Sequence, residues 1–153
     1  MSSNHIGKRV WFSPALPATN DAAGFEALNW TEIGIYQGGA RFGFEHEDID
    51  VPDLTTGLTP KLKGMGAGQA STLSFADAAS FTSERADLKA LADGTGSVGS
   101  IRIARNTTSG TPVAYCQGYY KSFVEMEESG TSHEGFTVTF QQNAPHVIAT
   151  MPA

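Results

Sequence analysis

An acidic run at residues 45–50 is the stretch of this chain that is best suited to metal chemistry. It reads Glu-His-Glu-Asp-Ile-Asp, and carboxylates at alternate positions suit a calcium ion. The run lacks the glycine and the terminal glutamate of an EF-hand loop. A solvated acidic loop is therefore favoured over a calcium site, and we expect no bound metal.

Other chemical signatures are missing from the sequence or stand in the wrong context. There is no Gly-x-Ser-x-Gly elbow and no paired cysteine and histidine signature, and the four histidines have no metal-ligand spacing. Gly94-x-Gly96-x-x-Gly99 has the dinucleotide spacing, but it follows a predicted helix and enters a predicted strand, the reverse of a phosphate-binding turn. We read it as a hinge-like connection. The single Cys116 reads as a small apolar strand residue, so the sequence predicts neither an enzyme nor a cofactor.

Composition predicts one acidic, soluble domain. The chain has 153 residues and a net charge of -6, with a sequence pI near 5.1. Its Lys and Arg residues are scattered, which argues against tight nucleic-acid binding, because such binding needs clustered cations. The sequence shows neither an export signal nor an apolar run long enough to span a membrane, so we expect no membrane contact.

Two extended runs at residues 114–127 and 136–142 form the centre of the predicted fold. In the second run Phe136, Val138 and Phe140 alternate with polar residues, which is typical of a strand with one buried face. The first run is longer than an ordinary strand of about 5 to 6 residues, and neither of its faces is cleanly apolar. We expect it to bend at Gly118 and to present one half to a neighbour.

The remaining pattern adds short strands and one clear helix. The helix is predicted at residues 84–93, with Thr82 or Ser83 as its N-cap and Gly94 at its end. A helical turn is also possible near residues 22–27. Further strands are predicted at 8–12, 30–36, 41–44, 70–76 and 96–105. The predicted fold class is mainly β, an antiparallel β-sandwich or barrel with one flanking α-helix.

Residues 45–68 stand apart from this pattern. The segment holds charged residues, prolines and glycines, and it exceeds the roughly 12 to 15 residues expected of an unstructured connection. Such a segment usually has a function at an interface. The chain is therefore divided into a single domain over 1–153, with an N-terminal arm at about 1–28, this long loop, and a C-terminal tail at about 143–153.

The order of elements carries a resemblance to a known family. The relevant features are the Pro-Ala-Leu-Pro-Ala-Thr segment from Pro14, the excursion that ends in Lys-Leu-Lys-Gly at 61–64, the strand at 71–75, the helix at 88–91, and the closing pair at 119–123 and 136–140. Together they resemble the tail tube proteins of long-tailed bacteriophages, over about residues 11–142. The tail at 143–153 and the Gly-rich stretch at 64–68 match no feature of that family.

This resemblance implies hexameric rings whose sheets join into a continuous inner barrel. Stacked rings form a tube through which DNA passes without specific binding, and an acidic lumen keeps DNA from adhering. The implied inter-ring loop contains Glu45, His46, Glu47, Asp48, Asp50, Asp53, Lys61 and Lys63. Candidates for the lumen lining are Glu125, Glu127 and Glu128, although the same residues would also serve solubility alone. The implied inter-subunit sheet contains Tyr115, Tyr119, Tyr120 and Phe123.

The resemblance also implies partners and a location. A tail tube protein contacts identical copies, a tail terminator, a tape measure protein and baseplate or tip proteins. It would be a virion component that assembles in the bacterial host cytoplasm. Two alternatives remain open: the tube protein of a contractile injection or secretion machine, and a monomeric β-sandwich binding or decoration module. The binding module requires an exposed aromatic platform, for which Trp11, Trp30, Tyr119 and Tyr120 are available.

Overall fold

The computed structural model describes residues 4–95 and 97–152. Ten strands and two α-helices are formed by these residues, with a 3-10 turn at Ala79–Phe81 before the second helix. The helices are α1 (Ala22–Glu26) and α2 (Thr82–Asp93). The strands are β1 (Arg9–Ser13), β2 (Thr31–Glu32), β3 (Ile35–Gly38), β4 (Phe44–Asp50), β5 (Lys61–Gly68), β6 (Ala70–Ala76), β7 (Gly99–Ala104), β8 (Pro112–Glu125), β9 (Gly135–Gln142) and β10 (Val147–Thr150).

Eight of these strands form one antiparallel sheet. Its order is β2-β1-β7-β8-β9-β6-β3, with β10 paired to the first residues of β8. Strands β4 and β5 pair only with each other and form a separate hairpin. The predicted fold class, mainly antiparallel β with one substantial helix, is confirmed.

Hydrophobic residues pack on both faces of the sheet. In β1, Val10 and Phe12 belong to the larger core, which also holds Leu88 of α2, whereas Trp11 points into a smaller core. The smaller core contains Phe25 of α1 and Tyr115 of β8, whose rings stack with centroids 5.1 Å apart. The period-two alternation of β1 thus places successive side chains in two different cores.

The first and last segments that the structure describes both contribute strands to this sheet. Strand β1 lies between β2 and β7, so the predicted N-terminal arm contributes an interior strand. The predicted C-terminal tail contains β10, and Met151 beyond it is 4% exposed. The tail folds back because the first residues of β8 have an edge left open by β9, which pairs only from Gly118 onward.

The irregularity in strand β8 does not fall at Gly118, where a bend was predicted. Its pairing with β9 shifts register between Tyr120 and Ser122, whereas Gly118 is regularly paired on both sides. Gly118 is needed for a different reason, because a Cβ built on it would lie 1.8 Å from the backbone oxygen of Gln141. The glycine permits a close approach of two strands rather than a bend.

We expect Gly118→Ala to destabilise the domain more than Gly130→Ala. The methyl group at position 118 would collide with strand β9, whereas a Cβ at Gly130 meets no atom within 4 Å. Overpacking of this kind typically costs about 1–3 kcal/mol, and occasionally more. Urea unfolding of the two variants measures the difference, and equal midpoints would contradict the close approach.

Three other local predictions are wrong. The strand predicted at 30–36 is interrupted at Gly34, which has a φ of 38°, so Ile33 is buried while Ile35 is 53% exposed. The strand predicted at 41–44 does not form before Phe44, because the Arg41 backbone hydrogen-bonds to the hydroxyl of Ser71 instead. Helix α2 begins after Phe81 without a side-chain cap, since the Thr82 hydroxyl donates to the backbone oxygen of Ala79.

The predicted glycine connection after α2 is described only in part. Gly94 is the C-cap of α2, as predicted, and its N–H donates to the backbone oxygen of Ala90. Gly96 lies outside the described residues, and strand β7 begins at Gly99.

Candidate assembly surfaces

Most of the predicted loop at 45–68 is a β-hairpin. Strands β4 and β5 pair from Phe44 opposite Gly68 to Asp50 opposite Lys61, with an irregularity between His46 and Asp48. The sequence of these strands shows no alternation of apolar and polar residues, because charged residues occupy both faces of β4 and glycines occupy much of β5. The turn at residues 51–60 completes a projection that is exposed along almost its entire length.

One face of the hairpin is charged. Lys61 Nζ lies 3.0 Å from Asp50 Oδ1, Asp48 lies opposite Lys63, and the ring of His46 covers Gly66. All eight residues assigned to the inter-ring loop are on this hairpin or its turn, and Asp53 alone among them is half-buried. Over residues 4–95 and 97–152, no group of three or more acidic, His or Cys side chains is arranged to hold a metal.

The other face of the hairpin combines uncovered apolar side chains with two glutamates. Ile49 and Leu62 lie opposite each other and are 51% and 58% exposed, and Gly64 leaves the space into which Ile49 packs. Leu54 and Leu58 in the turn are exposed as well. A two-stranded hairpin is marginally stable by itself, and several exposed apolar side chains on one such projection are typical of an interaction surface.

The base of the hairpin is fixed to the main sheet. The buried Gln142 accepts a hydrogen bond from the Gly43 N–H at 2.9 Å, and its own N–H donates to the backbone oxygen of Gln69 at 3.2 Å. Gln141 Nε2 donates to the backbone oxygen of Gly68 at 2.8 Å. These bonds set the direction of the hairpin while leaving both of its faces free.

The candidate lumen residues lie at the far end of β8 and in the loop at 126–134. Glu127 and Glu128 are exposed, whereas Glu125 is bonded to Arg85 of α2. Arg85 Nε also lies 3.0 Å from Asp77, and its guanidinium stands over the ring of Phe123. The hydrogen bond that Arg85 donates to the Glu125 carboxylate raises the pKa of Arg85, so this cation is present at any usable pH.

The acidic loop and the base of the hairpin lie at opposite ends of β9. Gly135 at the start of β9 follows the acidic loop, and Gln142 at its end holds the base of the hairpin. Seven steps of about 3.4 Å join Gly135 to Gln142, so the two regions are about 24 Å apart along the strand. The structure therefore offers two distinct surfaces rather than a single site.

We expect Glu125→Gln to change stability by less than about 1 kcal/mol, because an exposed ion pair contributes little in water. The carboxyl side chain of Glu125 is 64% exposed. Arg85→Ala should cost more, since it also removes the contacts with Phe123 and Phe136 and leaves Asp77 without its partner. Thermal melts of both variants measure this order, and a larger loss for Glu125→Gln would contradict it.

The aromatic residues assigned to an inter-subunit sheet fall into two groups. Tyr115 and Tyr120 are 0% and 3% exposed and are core residues, so their side chains offer no surface to a second copy. Burial raises the pKa of Tyr120 well above its usual value, and its hydroxyl donates to the backbone oxygen of Ser100. Tyr119 and Phe123 are half-buried.

The aromatic platform required of a binding module is not assembled. Trp11 is 7% exposed and Tyr120 is buried. The half-buried Trp30 is occupied internally, because its Nε1 donates to the backbone oxygen of Phe25 and its ring contacts the guanidinium of Arg102. Of the four residues considered, Tyr119 is the remaining one, and one ring does not make a platform.

Cys116 behaves as the apolar strand residue that was predicted. It is fully buried in the larger core, and burial raises the pKa of its thiol to about 12. A thiol with so little thiolate is a poor nucleophile. In the described part of the chain, no helix is long and apolar enough to cross a membrane.

Structural comparison places this architecture among components of tube-forming machines. The chain aligns with a sheath and tube terminator of an extracellular contractile injection system, PVC, at a TM-score of 0.68 and 10% identity over 97% of both chains. It aligns with the tube-terminating cap of the anti-feeding prophage at 0.64 and 14% identity, over 98% of this chain and 92% of the cap. The SPP1 tail tube aligns at 0.58 and 12% identity, over 95% of this chain and 78% of that chain. The chain has the tail tube fold.

The tail tube fold was recognisable from the order of elements in the sequence, and that recognition is confirmed at the level of the fold. No protein-family model matches the chain, and no curated protein matches it significantly. Sequence reasoning missed the hairpin's apolar face. The sequence does hold a signal for it. Pairing the opposite charges of Asp50 and Lys61 across the hairpin also sets Ile49 opposite Leu62.

Proposed function

We propose that this chain is a structural subunit of a tube, assembled from identical copies. The observation that carries the proposal is a tail tube fold from which a hairpin projects with its apolar face uncovered. A monomer that is complete by itself has no reason to expose Ile49, Leu54, Leu58 and Leu62 on one projection. Trp11 and Tyr120 are buried and Trp30 is bonded internally, so these residues form no aromatic platform, which disfavours a monomeric binding module.

The finer form of the proposal is a stack of hexameric rings around a conduit for DNA in a phage tail. The hairpin would contact the neighbouring ring, and Glu125, Glu127 and Glu128 would give part of the lumen wall a negative charge. Its partners would be a tail terminator, a tape measure protein and baseplate or tip proteins. The protein would reside in the virion after assembly in the bacterial host cytoplasm. The same subunit design would serve a contractile injection machine that carries no genome.

A second candidate function is a tube terminator. It is favoured by the match to the PVC terminator, which covers 97% of both chains, and by the match to the prophage cap. A terminator ends a tube and therefore forms one ring, whereas a tube subunit forms many. The two functions differ in whether assembly continues after the first ring closes.

Negative-stain microscopy of the purified protein, together with light scattering after size exclusion, tests the proposal. Tubes of stacked rings support a tube subunit, and isolated rings at all concentrations support a terminator. A monomer at every concentration would overturn both. A sheath gene beside this gene would favour the contractile machine over a tail without a sheath.

A further inference from the structure

An open groove of about 810 Å³ lies where β3 approaches β7, β8 and β10. Its floor is a cross-strand row of apolar side chains, in which Ala114 pairs with Ile103 on one side and with Ile148 on the other. Ile148 is 75% exposed, although it lies in this apolar row. Phe42 forms part of the opposite wall. The groove is therefore an apolar surface that the described chain leaves uncovered.

The rim of the groove carries positive charge in an otherwise acidic protein. Lys8 and Arg105 line it, and no Asp or Glu is among the described lining residues. Arg105 donates to backbone oxygens of Asn4 and Ile6, and neither cation is within ion-pair distance of a described carboxylate. An acidic partner with an apolar face would complement both the rim and the floor.

The β4–β5 hairpin has those two properties. Residues 44–68 contain five carboxylates and two lysines, so the segment carries -3 of the chain's net charge of -6. Glu45, Glu47 and Ile49 are two residues apart along β4, so their side chains lie on the same face of the hairpin. None of residues 44–68 lines the groove of its own chain. Within the chain the hairpin therefore lies outside the groove, so a second copy can supply the hairpin that occupies it.

We propose that the groove receives the apolar face of the β4–β5 hairpin of a second copy, an inference that rests on the proposed function. Ile49 and Leu62 pack on Ile148 and its neighbours, while Glu45 and Glu47 approach Lys8 and Arg105. The contact joins two different surfaces of one chain, so each copy keeps a free hairpin or a free groove after pairing. Heterologous contacts of this kind close into rings or continue as filaments, and they do not stop at a dimer.

Crosslinking between two single-cysteine variants tests this contact. Ile49→Cys and Ile148→Cys proteins are mixed under assembly conditions and treated with a short bismaleimide. We expect at least ten times more covalent dimer than in a control mixture of Ile49→Cys with Thr131→Cys, since Thr131 lies in the acidic loop at the other end of β9. The native Cys116 is buried, so wild-type protein provides the blank.

Charge reversal provides a second readout. Lys8→Glu with Arg105→Glu should raise the concentration needed for assembly at least tenfold, with circular dichroism confirming the fold. Adding Glu45→Lys and Glu47→Lys to the same chain should restore most of the assembly. A reversed groove that assembles normally would overturn the inference.

The outcomes separate this inference from the proposed function. Tubes that form without a crosslink between positions 49 and 148 would overturn the groove contact and leave the tube function standing. A wild-type protein that never assembles would overturn both. A crosslink within a single chain that carries both Ile49→Cys and Ile148→Cys, at a dilution where the protein is monomeric, would assign the groove to the chain's own hairpin and overturn the inference.

Discussion

Replacing residues 45–67 with an Asn-Gly turn should abolish assembly while the domain stays folded. Phe44 and Gly68 are directly opposed in the β4–β5 pair, so a two-residue turn of the type found in hairpins can connect them. The hairpin belongs to neither hydrophobic core. We therefore expect a melting temperature within about 4 °C of the parent, because roughly 1 kcal/mol shifts the melting temperature by about 2–4 °C in a domain near 150 residues.

Circular dichroism measures whether the shortened protein stays folded, and light scattering measures whether it assembles. Point variants sharpen the test, because Ile49→Ser with Leu62→Ser removes the apolar face alone and should also prevent assembly. Asp50→Asn with Lys61→Gln is the matched control on the charged face, since it removes an exposed ion pair and leaves the net charge of the hairpin unchanged. Tubes formed by the shortened protein would refute the role of the hairpin.

Strands with one buried face could be predicted from the sequence because their side chains alternate in chemistry. The strand at 70–76 and the run that became β9 were both identified, and Leu73, Val138 and Phe140 are in the core as expected. The alternation succeeds there because one face of each strand packs on the larger core. The fold class follows from the number and spacing of such strands.

The hairpin could not be predicted in this way, because neither of its faces is buried within the chain. A strand without a buried face has no reason to alternate, and β5 carries glycine at positions 64, 66 and 68. Strand β10 was missed for a related reason. Its four residues are brought to the sheet by the open edge of β8, which is a tertiary feature.

The candidate surfaces were predictable in position but not in chemistry. The sequence places an unusual acidic segment at 45–68 and acidic residues after β8, and the structure shows both to be exposed. The assignment of Tyr115, Tyr119, Tyr120 and Phe123 to an inter-subunit sheet stays a prediction. The burial of Tyr115 and Tyr120 was not foreseen, because the period-two pattern of β8 does not tell which face is covered. Both of its faces are covered over the first half of the strand, so Tyr115 and Tyr120 are buried in different cores.

Phe140→Ala is expected to cause the largest loss of stability among single substitutions considered for this protein. Phe140 is fully buried at the centre of β9, and its ring lies 5.2 Å from that of Tyr120. Truncation of a core phenylalanine costs about 3–5 kcal/mol, a large part of the roughly 5–15 kcal/mol that holds a domain folded. Thr139→Ala, on the other face of the same strand, should cost less than about 1 kcal/mol.

The measurement is best made where assembly cannot contribute. Subunit contacts stabilise a folded protein by mass action, so both substitutions belong in the shortened protein that lacks the hairpin. Urea unfolding should then show a much lower midpoint for Phe140→Ala with an unchanged denaturant slope. A difference of less than about 1 kcal/mol between the two variants would mean that β9 does not form the centre of the core. The same pair in the full-length protein would show how much stability assembly adds, because the assembled state resists unfolding until its contacts are broken.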